Sequence, residues 1–295
     1  MLIATLVNNT QPNSGLSLLT TPFMINALIA GTLIALAAGA IGYFVLLRDL
    51  PFATHAVAHI GFPGATLAVL IGVTPVVGLV VACVGGGLAI GAMGHRARNR
   101  EVVTGTVLAF ATGLGLLFNS LGSAQSSLLT NLLFGNILAI TTDQVIAFAV
   151  IVVVVLGILA LFGRRLLFAS VDPDVAAARG LNIRAISAVF LLAMSLIVAI
   201  SVTIVGVLLI FALLVTPAAT AIRLTAKPMF VIAIASAIAL VSVWGGLIVA
   251  TYQPWPPSFV ITTIACVIWV CLPQLMKLRG PVASPDVVAP TASSL

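Results

Sequence analysis

The sequence predicts an all-α bundle of eight or nine membrane-spanning helices, and three observations carry that prediction. Apolar residues make up 62% of the 295-residue chain, charged residues only 6%, and the mean hydropathy is +1.31. Soluble domains carry about 25% charged residues, so water is not the main solvent. Uncharged runs of about 20 residues recur without period-two alternation, so helices rather than barrel strands satisfy the backbone in lipid. The twelve Lys and Arg residues fall in alternate loops between those runs, a distribution that sets membrane orientation.

In chain order the runs lie at 21–47, 52–71, 75–94, 102–121, 143–163, 184–204, 205–222, 229–251 and 257–276. At about 1.5 Å rise per residue each crosses a core of about 30 Å, and 205–222 only marginally. Arg48 follows the first run, and Arg96, Arg98 and Arg100 follow the third. Arg164, Arg165, Arg179 and Arg184 bracket the loop after the fifth. Arg223 and Lys227 follow the seventh, and Lys277 and Arg279 the last. All lie on one side, which the positive-inside rule makes cytoplasmic. The N-terminus is then outside and the C-terminus in the cytosol.

Residues 1–20 place no Lys or Arg before the first long run. They therefore predict no cleavable secretory signal and read as a short extracytoplasmic segment. Residues 21–279 form the transmembrane domain, and 280–295, rich in Pro, Ala and Ser, read as a disordered cytoplasmic tail. Two stretches are open. Residues 184–222 are one apolar stretch with an arginine at each end, so the chain goes out and returns, and Gly206 is the obvious turn signal. Two short spans or one span plus a re-entrant half-helix both fit. Residues 123–142 form an outside segment of mixed polarity with room for a short interfacial or re-entrant helix.

Several classes of function are excluded. The net charge of +6 is scattered between apolar runs and makes no basic stripe, so no nucleic-acid partner is expected. There is no phosphate loop, no Ser-His-Asp set and no zinc-type cysteine spacing. Gly85, Gly86 and Gly87 lie inside a span, where helix packing explains them. Cys83, Cys266 and Cys271 lie in apolar runs and read as buried packing residues. His95, among arginines, reads as solvated. No enzyme activity is expected, and the spans lack the paired carboxylates that proton-coupled carriers use.

Three constellations carry chemistry. His55 and His59, in PFATHAVAHIGFPG, are four apart inside a span, which puts both imidazoles on one helix face. Ionisable groups in spans are costly and face an interior or a water path, and neutral imidazole suits borderline metals such as zinc. Two ligands do not complete a tetrahedral site; four would converge if two chains met at this helix. Hydrogen bonding between helices is the plainer alternative. A zinc protease is excluded, because Ala56 stands where H-E-x-x-H needs its glutamate. The second constellation is the loop DPDVAAARGLNIRA at 172–185. Asp172 suits an N-cap, Pro173 the first helical position, Asp174 the positive helix end and Gly180 a C-terminal stop. The third is Pro217, in VGVLLIFALLVTPAATAIR at 205–223, which fits a pore-lining break or a packing kink equally well.

Three stretches together resemble the membrane permease subunits of ATP-binding-cassette importers for zinc, manganese and iron(II). They are LLRDLPFATHAVAHIGFPGA at 46–65, LLFGNILAI at 132–140, and DPDVAAARGL with VGVLLIFALLVTPAATAIRL within 172–224. The resemblance implies a fold similar to cobalamin and siderophore permeases, placed in a bacterial plasma (inner) membrane. It implies a homodimer, two cytoplasmic ATPase subunits and an extracytoplasmic metal-binding protein. It implies that helix 173–180 is the coupling helix, with Asp172, Pro173, Asp174, Arg179 and Gly180 at the ATPase contact. The metal is the transported substrate, Zn2+ or else Mn2+ or Fe2+, moving along a path at the dimer interface past His55 and His59, and no cofactor is held permanently. One departure stands out: family members often read G-D-A-x-x-H, and here His55 occupies the aspartate position. Manganese favours harder oxygen ligands, so two imidazoles lean towards zinc. Counting along the helix puts His55 about 10 Å from its cytosolic start, nearer the inside than a midplane site. The rival reading is an ion-gradient-driven carrier or channel without an ATPase.

Overall fold

The computed structural model describes residues 21–92, 97–122, 132–253 and 255–277. The expected outside segment 1–20, His95, residues 123–131 of the segment 123–142 and the tail 280–295 lie outside those residues. The described residues are helical, with no strand among them. The helices are α1 (Pro22–Leu47), α2 (Pro51–Leu70), α3 (Pro75–Ala92), α4 (Ala97–Leu121), α5 (Thr142–Val171), α6 (Pro173–Ala178), α7 (Ile183–Leu224), α8 (Pro228–Tyr252) and α9 (Pro257–Lys277). A 3-10 turn, Ile137–Ala139, precedes α5.

Local chemistry sets the helix starts. Six helices begin on a proline, whose missing N–H is one that a first turn leaves unpaired anyway and whose φ is preset. The other starts use side chains where the structure shows them. Thr141 and Gln144 form a reciprocal capping box ahead of α5, with Thr141 N donating to Gln144 Oε1 at 3.1 Å. Asn182 Oδ1 accepts from Ala185 N at 3.1 Å ahead of α7.

Seven helices are long and apolar enough to cross a membrane. One of them, the 42-residue α7, crosses twice. Gly206 at its centre has φ 83° and ψ 163°, which is not helical. Phe44, near the end of α1, meets Phe190 edge-on at 6.1 Å, close to the start of α7. Gly42, also near the end of α1, packs against Leu214 and Ala218 beyond the break. Both parts of α7 therefore return to the same end of the bundle, with Gly206 at the far end. The open question over 184–222 resolves as two legs. With the 21-residue α9, the described residues make nine legs.

The end of the bundle reached by Arg48, Arg184 and Arg223 is the basic end. Helix α5 runs eight residues past the expected span 143–163 and carries Arg164 and Arg165 in its last turns. The core sits on α1 and α7, whose apolar stretches are the most buried. Helix α1 has no polar face and is clad by α8, α7 and α5.

Cys83 is buried, with its Sγ 3.3 Å from the Val57 carbonyl, whereas Cys266 and Cys271 are exposed. The expectation of three buried cysteines is corrected for the last two, because α9 is an outer helix and both fall on its outer face. Gly86 and Gly87 pack against Ile60 and Ser195, as helix packing requires. Pro217 is buried beside the close approach of Gly42 to Leu214, which favours the packing kink.

Candidate metal site in the second span

Helix α2 turns a face of small residues inward. Gly61 fits against Leu79 and Cys83, and Gly64 meets the backbone of Gly78 on α3. Ala53, Ala56, Val57 and Ala58 are buried as well. That packing fixes the rotation of the helix and leaves His55 and His59 together on another face, both half-buried. Their rings meet edge to face, with centroids 4.6 Å apart and planes at 70°. Phe211, five residues past Gly206, also meets His55, at 4.7 Å and 59°. The Nδ1 atom of His55 is buried and has no hydrogen-bond partner among the described residues.

Pro63 lies inside α2, four residues beyond His59. A proline has no N–H to offer the carbonyl four residues back, so the His59 carbonyl lacks its helical donor. The spacing H-x-x-x-P that signals this is legible in the sequence. Phe211 carried no signal, since it is one apolar residue in an apolar run.

The depth differs from the helical count. Thr54 lies within hydrogen-bond distance of the Met194 sulfur, at 3.2 Å. Met194 stands about 16 Å along α7 from Ile183 and about 18 Å from Gly206 at the helical rise. The residue next to His55 is thus level with the middle of the bundle. The reason is that the α1–α2 turn is recessed: Leu50 is 5% exposed, and Arg48 donates from Nη2 to Ser187 Oγ, inside the first turns of α7. Counting from the helix start assumed a start at the membrane surface, and that assumption fails here. Below the turn, a cavity of about 490 Å³ opens at the basic end between Arg48, Leu88, Gly91, Arg184, Ser187 and Leu191.

Among the described residues no three His, Cys, Asp or Glu side chains cluster as a metal site. One chain supplies two imidazoles, and further ligands must come from water, backbone or a second chain.

At the basic end, α6 has the capped form expected of residues 172–180. Asp172 Oδ1 accepts from Val175 N at 3.0 Å. Gly180, at φ +81°, closes the helix with its N–H on the Ala177 carbonyl at 2.9 Å, while Leu181 N reaches the Ala176 carbonyl at 3.1 Å. This pair of bonds is the Schellman ending. Pro173, Asp174, Val175 and Arg179 are exposed, and the Arg179 guanidinium lies 5.4 Å from the Phe168 ring.

A nine-leg helical bundle with a half-buried imidazole pair at mid-depth and a capped helix projecting at one end has the layout of a membrane transport subunit. The chain belongs to the ABC 3 transport family, whose profile matches residues 20–275, in agreement with the resemblance read from the three stretches. The manganese transport system membrane protein MntC of Listeria monocytogenes is 30% identical over 226 residues, covering 76% of this chain and 80% of that protein. The high-affinity zinc uptake system membrane protein ZnuB of Haemophilus influenzae is 29% identical over 240 residues, covering 80% and 91%. Among solved structures, PsaBC from Streptococcus pneumoniae in complex with Fab aligns with TM-score 0.80 at 23% identity, covering 92% of this chain and all of that one. At that identity the likeness shows a shared fold.

Proposed function

We propose that this chain is the membrane-spanning subunit of an ATP-driven importer of a divalent transition-metal ion. The observation that carries the reading is the His55–His59 pair, edge to face at 4.6 Å within a span and level with the bundle's middle. Zinc is favoured over manganese or iron(II). The relatives' names include both manganese and zinc, so the preference rests on ligand chemistry: no Asp or Glu lies between residues 50 and 92, and imidazole suits zinc better than manganese. The metal is cargo, and a two-imidazole contact holds it weakly enough to let it go.

In this reading two copies pair, and the ion passes along their interface. An extracytoplasmic metal-binding protein delivers it at the Gly206 end. Cytoplasmic ATPase subunits dock on α6 at the basic end and hydrolyse the ATP. The N-terminus is outside, the C-terminus is cytoplasmic, and the membrane is the bacterial plasma membrane. Metal uptake is expected to vanish in cells that lack the partner ATPase. Uptake that persists there selects the gradient-driven carrier instead.

The docking role of α6 has its own test. Gly180 has open space around it, so a side chain there meets no clash and only the left-handed φ resists it. Gly180→Val should cost about 1–3 kcal/mol locally, undo the Schellman ending and reduce co-purification of the ATPase. Gly180→Asn, which tolerates that φ, should assemble normally. Equal assembly of wild type and the valine variant would remove α6 from the contact.

A further inference from the structure

We propose that Phe211 is a positioning residue that keeps His55 a weak metal ligand. The inference rests on the reading of His55 and His59 as the ion's contact. A ligating imidazole normally donates its other ring N–H to a carbonyl, carboxylate or water, which fixes the tautomer and strengthens the bond to the metal. His55 has no such support: its Nδ1 is buried and without a hydrogen-bond partner among the described residues. With Nδ1 closed off, an incoming cation meets Nε2. Coordination there requires the proton on Nδ1, where no acceptor receives it.

The neighbours explain why. The imidazole is in contact with the ring of His59 at 4.6 Å and with the ring of Phe211 at 4.7 Å. Phe211 fills the place next to the imidazole with an apolar ring that offers no lone pair. A polar residue at 211 would supply the missing acceptor. Tight binding is unwelcome in a conduit, since an ion that binds strongly leaves slowly. Phe211 belongs to the returning leg of α7, the helix that follows α6 after four residues.

The test uses the full transporter, with its ATPase, reconstituted in lipid vesicles, and zinc chloride as the probe. Phe211→Gln places an amide oxygen beside His55 and is expected to lower KM for zinc by about 10-fold while lowering kcat. Phe211→Leu, apolar and without an acceptor, should leave both within about 2-fold of wild type. If the glutamine variant does not assemble, Phe211→Thr takes its place, with the same direction expected. Wild-type kinetics in the polar variants, or a fall in kcat with KM unchanged in Leu and Gln alike, overturns the proposal and leaves a packing residue. His59→Ala is run alongside. Wild-type uptake in that variant removes the underlying metal contact, whereas lost uptake together with unaffected Phe211 variants defeats this inference alone.

Discussion

His59→Ala should reduce zinc uptake by more than about 100-fold while the protein still inserts and assembles with its ATPase. Removing a residue that merely supports a metal ligand costs about 10–100-fold, and His59 would be a ligand itself, one of the two imidazoles paired among the described residues. The fold should tolerate the change. The rotation of α2 is fixed by its opposite, small-residue face, where Gly61 and Gly64 meet α3, and His59 itself is half-buried. The informative companion is His55→Asp, which restores the carboxylate of the G-D-A-x-x-H pattern at a position that already faces His59. Oxygen is the harder donor, so the preference for zinc over manganese should fall by at least about 10-fold in a competition uptake assay. Undiminished growth of His59→Ala on limiting zinc would end the ligand assignment. An unchanged preference in His55→Asp would mean that selectivity is set elsewhere, for instance at the delivering protein.

Much of this arrangement is legible in the sequence. Composition indicates the solvent, and the twelve basic residues narrow the count to eight or nine spans, because a larger miscount would scatter Arg48, Arg184 and Arg223 over both faces. The ends of α6 were readable from residue chemistry alone, since Asp172, Pro173 and Gly180 each suit one position of a capped helix. What could not be read was depth. A helical count fixes distance along one helix, but the recess of the α1–α2 turn depends on how Leu50 is buried and how Arg48 reaches Ser187 on a helix 139 residues away. Phe211 was hidden for a related reason. In an apolar run every residue looks alike, and only packing selects the one that meets His55. The cysteines of α9 show the limit of the rule that apolar runs are interior, because in lipid the outside of a bundle is apolar too.

The hairpin of α7 supplies the other large effect: Gly206→Ala should destabilise the protein by about 3 kcal/mol or more, by way of two separate terms. The first is conformational. With φ 83° and ψ 163°, Gly206 occupies a region open essentially to glycine alone, and another residue there costs about 1–3 kcal/mol. The second is steric. A Cβ on Gly206 would stand 2.5 Å from Gly135 N, the Leu133 carbonyl oxygen and the Phe134 carbonyl carbon, all backbone atoms that no rotamer change can move aside. Gly135, itself at φ +73°, presses in turn on the backbone of Val205, and Asn136 N donates to the Ile204 carbonyl at 3.0 Å. The segment around Gly135 thus lies flush against the apex only because both segments are glycine there. Ser258 ties the same segment to α9 through the Phe134 carbonyl at 2.8 Å. Gly72 separates the two terms: it also has positive φ, +77°, yet nothing lies within 4 Å of its would-be Cβ. Gly72→Ala should therefore cost only the conformational part, about 1–2 kcal/mol. Thermal unfolding of the three proteins in detergent decides it. Equal midpoints for the Gly72 and Gly206 variants would mean that the apex is not sealed by contact with the 132–140 segment. A much lower midpoint for Gly206→Ala, matched by Gly135→Ala, would show that the turn and the segment across it hold each other in place.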